Sequence, residues 1–144
     1  MDTSAQFKLN VRVYYEDTDA GGVVYHARYL HFLERARTEW LRQFGFNQIE
    51  LKEQSTVFVV RDMALKFVKP ARLDDLLTVT VDVTAVKNAS LHINQTIFDE
   101  QGQKLLAQVT IACLDARQFK PKPLPSDVRQ IIQIKEERKE SISD

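Results

Sequence analysis

The chain has 144 residues, about the length of one domain, which is enough to bury a core without disulfides or metal ions. Hydrophobic residues make up 44% of it and charged residues 28%, with four glycines and four prolines, which excludes disordered and fibrous proteins. Twenty basic residues balance twenty acidic ones, so we expect no nucleic-acid partner. No apolar run reaches the ~20 residues of a membrane span, and the first residues do not resemble a secretory signal. We therefore expect a cytoplasmic protein, without a transmembrane segment, whose residues 1–144 form a single domain.

The first third of the chain predicts one strand and one long helix. Apolar and polar residues alternate over residues 7–15, the period of a half-buried strand. A polar loop with two glycines follows at 16–22, and VVYH at 23–26 leads into a helical pattern that stops at Gly45. About half of the helix circumference is apolar, through Tyr29, Leu30, Phe32, Leu33, Ala36, Trp40, Leu41 and Phe44. Such a wide apolar stripe predicts a helix packed into the concave face of a curved sheet.

The remainder of the chain predicts four antiparallel strands. A short segment at 47–53 has helical potential, and the strand after it is ended by Pro70. We place Val57, Val59, Met63, Leu65 and Phe67 of that strand on one face. Further alternating patterns lie at 77–85, 91–97 and 105–113. A proline-rich segment at 120–125 follows, and Ser126 is expected to cap a weak helix that continues as a tail to residue 144.

This order of elements is typical of an α+β fold with one long helix on one face of a five-stranded sheet. The second face is expected to be apolar and covered by another copy of the chain, because of Phe58, Val60, Leu106, Ala112 and Leu114. The single cysteine, Cys113, has no partner for a disulfide or a CxxC metal site. We interpret it as a packed strand residue.

The densest group of chemically reactive residues lies between the first strand and the long helix. A helix N-terminus carries unpaired N–H groups and about half a positive charge, so it stabilises an oxygen that becomes negative during acyl transfer. Asp19 lies seven residues before His26, and the two glycines between them allow the loop to fold back on itself. Both residues could then serve one substrate carbonyl, with Gly22 allowing close backbone approach. Alternatively, Asp17 and Asp19 are turn residues and His26 satisfies backbone groups at the helix start.

Other chemistries have weaker support in the sequence. Metal-ligand types occur in this segment at Glu16, Asp17, Asp19, His26, His31 and Glu34. However, His26 and His31 are five residues apart, which puts them on different helix faces, so we expect no metal and no cofactor. Neither GxSxG nor GxxxxGK occurs, which disfavours a serine hydrolase and a P-loop enzyme.

Three segments carry a resemblance to a known family: VRVYYEDTDAGGVVYHARYLHFLERARTEWL at 11–41, VFVVR at 57–61 and PARLDD at 70–75. They closely resemble the hot-dog-fold acyl-CoA thioesterases of the 4-hydroxybenzoyl-CoA thioesterase type, and within it the Tol-Pal-associated branch. The resemblance extends over about residues 9–125. It implies a long central helix wrapped by an antiparallel sheet, in agreement with the order of elements above.

The resemblance also implies roles for individual residues. Asp19 matches the family's catalytic carboxylate. His26 matches the residue at the start of the central helix whose backbone N–H polarises the thioester carbonyl, and the Tol-Pal-associated branch implies acid–base chemistry for its imidazole. Tyr15 matches a pocket residue. Lys87, in the KNAS turn at 87–90, matches a basic position that contacts the CoA nucleotide, and we assign Ser90 of the same turn to substrate binding.

We therefore expect hydrolysis of an acyl-CoA, or of an acyl carrier protein thioester, to a free acid and a thiol. Asp19 attacks the carbonyl carbon or activates water, and His26 is an alternative base for water. The alternatives are a hot-dog dehydratase acting on hydroxyacyl thioesters and a non-catalytic scaffold of the envelope or lipid-synthesis machinery. The family's active site lies between subunits, so we expect a homodimer or tetramer, in the cytoplasm or peripheral to the inner membrane.

Overall fold

The computed structural model describes residues 6–133, which combine five antiparallel strands with a long helix and short ones. The α+β hot-dog arrangement expected from the sequence is confirmed, and no helix in the described range is long and apolar enough to cross a membrane. The strands and named helices are β1 (Phe7–Arg12), α1 (Arg28–Arg42), α2 (Gln48–Glu53), β2 (Thr56–Phe67), β3 (Leu76–Val86), β4 (Ser90–Asp99) and β5 (Gly102–Asp115). A last helix, α3, covers residues 126–133.

The strand order in the sheet is β1-β3-β4-β5-β2, and every neighbouring pair is antiparallel. The predicted meander of β3, β4 and β5 is confirmed, because tight turns join consecutive strands. Strands β1 and β2 form the two edges. Consequently the 12-residue β2 has one side that no strand of the described chain covers.

Helix α1 packs its apolar stripe against the sheet, as predicted. Its buried residues are Tyr29, Phe32, Leu33, Ala36, Trp40 and Leu41. Leu30, which we placed on the stripe, is 39% exposed, since it lies at the edge of the buried arc. The helix ends near Gly45 as expected: the N–H of Gly45 donates to Arg42 at 2.9 Å, and its φ of +90° suits glycine.

A β-bulge in β2 changes which of its residues face the core. Val60 pairs with Ile111 and Asp62 with Thr110, so Arg61 is an extra residue without a partner in the register. Residues that lie opposite each other share a face, so Phe58 and Val60 face the same side as the buried Cys113 and Ile111 of β5. Our expectations that Val57 and Val59 share the face of Met63, and that Phe58 and Val60 lie on the second face, were therefore wrong.

The end of the predicted first strand and the start of the predicted last helix also differ from the structure. Strand β1 stops at Arg12, and Tyr15 begins a 3₁₀ turn over Tyr15–Asp17, so Tyr15 is not a strand residue. At α3, the N–H of Arg129 donates to Pro125, so Pro125 and not Ser126 holds the cap position. The tail beyond residue 133 lies outside the described residues. Cys113 is fully buried as predicted, and burial raises the pKa of its thiol.

Candidate active site

Asp19 lies at the tip of a small hairpin that connects β1 to α1. Thr18 and Val24 form an antiparallel bridge, and the Asp19 N–H donates to the Val23 carbonyl at 3.0 Å. The turn is closed by the N–H of Gly22, which donates to the Asp19 carbonyl at 3.0 Å. Gly22 has a φ of +80°, a conformation that costs glycine little and other residues more. The two glycines thus fold the loop back, as the sequence predicted.

The Asp19 carboxylate is exposed and has one oxygen without a partner. Its Oδ1 accepts the N–H of Gly21 at 2.8 Å. Its Oδ2 forms no hydrogen bond or ion pair with any residue of the described chain. The carboxylate is therefore oriented through one oxygen while the other faces solvent, where a substrate can reach it.

His26 immediately precedes Ala27, the cap residue of α1, and this helix start has no side-chain cap. The cap position is held by Ala27, whose side chain has no acceptor atom. The N–H of Arg28 donates a hydrogen bond to the Tyr25 carbonyl at 2.8 Å. By contrast, the N–H of His26 donates to no group within residues 6–133. An unpaired N–H at the positive end of a 15-residue helix is suited to bind a negative oxygen.

Asp19 lies at the tip of the hairpin, whereas His26 follows the end of its second arm. Asp19 pairs with Val23, and His26 follows three residues later. No hydrogen bond joins the two side chains, and the exposed imidazole packs against the Tyr25 ring at a centroid distance of 4.5 Å. His26 also lines a groove of about 320 Å³ with Val24, Tyr29, Phe67, Val68, Lys69 and Pro70. A substrate carbonyl between them, not a direct contact, would link the two residues.

The buried carboxylate of Asp17 holds this hairpin on the helix. Its Oδ2 accepts the Tyr14 N–H at 2.9 Å and its Oδ1 accepts Nε of Arg28 at 2.8 Å. Arg28 also contacts Glu16 at 3.0 Å, and the hydrogen bond to Asp17 raises the pKa of the guanidinium. The turn interpretation is confirmed for Asp17, and the hydrogen bond from the Gly21 N–H to Oδ1 of Asp19 makes Asp19 a turn residue as well. Sequence reasoning missed Arg28, although a carboxylate that becomes buried needs donors nearby.

A second contact fixes the hairpin from the side of the sheet. The Tyr29 hydroxyl accepts the Ala71 N–H at 3.0 Å, and the Ala71 carbonyl accepts the Val24 N–H at 2.8 Å. Burial raises the pKa of Tyr29, which is only 3% exposed. These bonds tie the segment before His26 to α1 and to the β2–β3 connection. Within the described range, no three His, Cys, Asp or Glu side chains are grouped as a metal site.

The other predicted site residues lie apart from this hairpin or at its rim. Tyr15 starts the 3₁₀ turn before Asp17, and 82% of its surface is exposed. Lys87 is an exposed residue of the β3–β4 turn, where its N–H donates to the carbonyl of the buried Ser90 at 2.8 Å. Arg129 of α3 donates to the carbonyls of Lys87 and Asn88 at 2.8 and 2.7 Å. No local pattern indicates these contacts, which join positions 42 and 41 residues apart.

Comparisons with known proteins show the family of the chain. The thioesterase-like superfamily matches residues 13–132. The chain is 49% identical over 124 residues to the acyl-CoA thioesterase YbgC of Haemophilus influenzae, covering 85% of this chain and 91% of that protein. It is 46% identical over 123 residues to the acyl-CoA thioester hydrolase YbgC of Escherichia coli, covering 85% and 92%.

A solved structure shares both the fold and much of the sequence. It is described as a "Probable Thioesterase from Bartonella henselae" and superposes with a TM-score of 0.79 at 40% sequence identity. The match covers 83% of this chain and 99% of that one. The chain therefore belongs to the thioesterase-like superfamily and, within it, to the family of the two YbgC acyl-CoA thioesterases.

Proposed function

We propose that this protein hydrolyses the thioester bond of an acyl-CoA and releases a free acid and the CoA thiol. One observation supports this most: the hairpin before α1 presents a carboxylate with a free oxygen at Asp19, and His26, which follows that hairpin, has an unpaired N–H. The names of the relatives from Haemophilus influenzae and Escherichia coli describe the same activity in those proteins.

In the proposed reaction, the thioester carbonyl oxygen accepts the His26 N–H. As the carbonyl carbon becomes tetrahedral, the oxygen becomes negative and the hydrogen bond strengthens, which lowers the barrier. Asp19 has two routes to the same products. It attacks the carbonyl carbon, the C–S bond breaks and water then hydrolyses the anhydride, or it takes a proton from the water that attacks the carbon. Both routes consume one water and leave an acid and a thiol.

A 3-hydroxyacyl-CoA substrate separates this function from the dehydratase alternative. Hydrolysis releases one thiol for each molecule of substrate and leaves the hydroxyl in the acid. Dehydration releases no thiol and forms an enoyl thioester, which is detected by its absorbance. We expect thiol release without enoyl formation. Formation of the enoyl thioester alone would show that the protein is a dehydratase.

We further propose that the β3–β4 turn, with Lys87 and Ser90, binds the phosphate end of CoA, and that Tyr15 and Gly22 line the path to Asp19. Arg129 supports this role of the turn, because it donates hydrogen bonds to the carbonyls of Lys87 and Asn88 and adds a second cation beside Lys87. Four further expectations stay predictions: an acyl carrier protein as an alternative thiol carrier, the Tol-Pal association, the cytoplasmic location and an association with the inner membrane.

The Lys87→Ala variant is expected to raise KM for acyl-CoA about two- to fivefold and to leave kcat unchanged. The reason is that an exposed ammonium contributes little to binding, and the phosphates do not change during the reaction. Lys8→Ala, which removes an exposed lysine from β1, is the matched control. Steady-state kinetics of both variants test the assignment. If Lys87→Ala has the same KM as Lys8→Ala, Lys87 does not bind CoA.

We propose that the protein is at least a homodimer, because no strand within residues 6–133 pairs with the outer edge of the long β2. Exposed edges of this kind are templates for pairing with another chain, and Val60 on this strand is 44% exposed. Sedimentation at micromolar concentration is expected to give at least twice the mass of the chain. A monomer with full thioesterase activity would contradict the model of a site between subunits.

A further inference from the structure

A buried tyrosine lies in the wall of the groove beside His26. The groove has a volume of about 320 Å³, and Tyr29, which is 3% exposed, lines it together with His26. The other lining residues are Val24, Phe67, Val68, Lys69 and Pro70. Of these neighbours of Tyr29, only His26 and Lys69 carry a side-chain group that forms hydrogen bonds. A polar atom of a ligand in this groove therefore meets few side-chain partners, and the Tyr29 hydroxyl is one of them.

The hydroxyl of Tyr29 is used as an acceptor but not as a donor. Its oxygen accepts the Ala71 N–H at 3.0 Å. A phenol also has one hydrogen to donate, and no group within residues 6–133 accepts it. A buried donor without an acceptor costs free energy. The hydroxyl is therefore suited to an acceptor that enters the groove from outside the chain.

The position of this hydroxyl is fixed beside the segment that leads to His26. Helical side chains lean toward the N-terminus of their helix, so the Tyr29 ring extends back past Ala27. The Ala71 peptide that donates to Tyr29 also accepts the Val24 N–H through its carbonyl, at 2.8 Å. Val24 is two residues before His26. Tyr29 and His26 thus border the same groove at the start of α1.

The phenol keeps its proton at neutral pH. Burial raises the pKa of Tyr29 above the ordinary value of 10.0. The hydrogen bond from Ala71 opposes this in part, and the charge of Asp75 adds to the rise. The protonated form is the one that donates, so the donor is present throughout the range in which a thioesterase is assayed.

We propose that Tyr29 is a second donor to the thioester carbonyl, so that its O–H and the His26 N–H bind the same oxygen. This role rests on the proposed hydrolysis and adds a catalytic residue to it. The tetrahedral intermediate carries its negative charge on that oxygen, and two preorganised donors stabilise the charge more than one does. When the intermediate collapses, the oxygen becomes a carbonyl again and the C–S bond breaks. Tyr29 keeps its proton throughout, and the reaction still consumes one water.

Tyr29→Phe removes the hydroxyl and is expected to lower kcat for acyl-CoA about 10- to 100-fold. The expected loss is smaller than the ~10²–10³-fold typical of an oxyanion donor, because a water molecule can take the place of the hydroxyl. The variant also leaves the Ala71 N–H without its acceptor, so a lower Tm is expected. Tyr25→Phe removes the hydroxyl of an exposed tyrosine beside His26 and is the matched control. It should keep the wild-type kcat and Tm.

A pair of ligands separates the donor role from one in which Tyr29 only anchors the hairpin through Ala71. Acyl-CoA and an S-alkyl-CoA of the same length differ in the carbonyl oxygen, and Asp19→Asn allows the binding of both to be measured without turnover. In this background, Tyr29→Phe should weaken acyl-CoA about two- to tenfold, the effect of one hydrogen bond, and leave S-alkyl-CoA unchanged. Titration calorimetry gives both affinities. An equal effect on the two ligands, or a wild-type kcat in Tyr29→Phe, would overturn the proposal.

A measurement that retains the hydroxyl covers the case in which Tyr29→Phe does not fold. Substitution of Tyr29 by 3-fluorotyrosine keeps the O–H and its bond to Ala71, and the ¹⁹F resonance reports contacts of the phenol. In the Asp19→Asn background we expect acyl-CoA to shift this resonance clearly more than S-alkyl-CoA does. Equal shifts would contradict the donor role. Failure of the proposed function gives a different result, because the wild type would then release no thiol from any acyl-CoA.

Discussion

Asp19→Asn is expected to lower kcat for acyl-CoA hydrolysis by about 100-fold or more. The substitution removes the negative charge that either route needs, attack on carbon or proton transfer from water. Asparagine keeps an Oδ1 acceptor for the Gly21 N–H, so the turn that presents the side chain is preserved. Tm should therefore change by less than about 2 °C, as for other exposed substitutions.

The control for this variant is Asp74→Asn, an exposed loop aspartate outside the hairpin. It removes the same charge and should have wild-type kcat and Tm. A structural role for Asp19 gives the reverse pattern, with a lowered Tm and a near-normal kcat. Thermal melts and initial rates of the two variants distinguish these cases.

The second large effect is expected from His26→Pro, which removes the backbone N–H at the start of α1. Loss of one oxyanion donor typically lowers kcat by ~10²–10³-fold. Proline is tolerated near the first turn of a helix, where its missing N–H has no intrahelical acceptor. The groups nearby that anchor the hairpin, Asp17 with Arg28 and Tyr29 with Ala71, are unchanged.

His26→Ala is the partner of that variant, because it deletes the imidazole and keeps the N–H. The exposed imidazole makes no hydrogen bond in the described chain, so we expect less than about a 10-fold loss of kcat. A loss in His26→Ala as large as that in His26→Pro would instead assign the acid–base chemistry to the side chain. Circular dichroism melts of both variants verify that α1 remains folded.

A helix or strand was predictable from the sequence wherever one of its faces is buried along its whole length. The stripe of α1 and the alternation of β3 to β5 are such cases, since periodicity reports burial directly. The bulge at Arg61 was not predictable, because one extra residue exchanges the faces of β2 without changing its composition. The same holds for Tyr15, where the strand pattern continues into a turn.

Only those features of the candidate site that depend on residues close together in the sequence were predictable. Two glycines between Asp19 and His26 indicated a loop that folds back, and the structure has that hairpin. The partners of its anchors come from elsewhere: Arg28 lies 11 residues beyond Asp17, and Ala71 lies 42 residues beyond Tyr29. Arg37 and Gln95 are 58 residues apart, and only the folded sheet brings them together. Such contacts depend on tertiary packing, which local periodicity does not encode.

The most direct test of thioester hydrolysis at the Asp19 hairpin is stoichiometric product analysis over a series of acyl-CoA chain lengths. Free thiol and free acid would be measured together for the wild type and for Asp19→Asn at equal protein concentration. The proposed mechanism predicts equal amounts of thiol and acid from at least one chain length, and loss of both products in the variant. The absence of thiol release across the whole series, or wild-type release by Asp19→Asn, would contradict it.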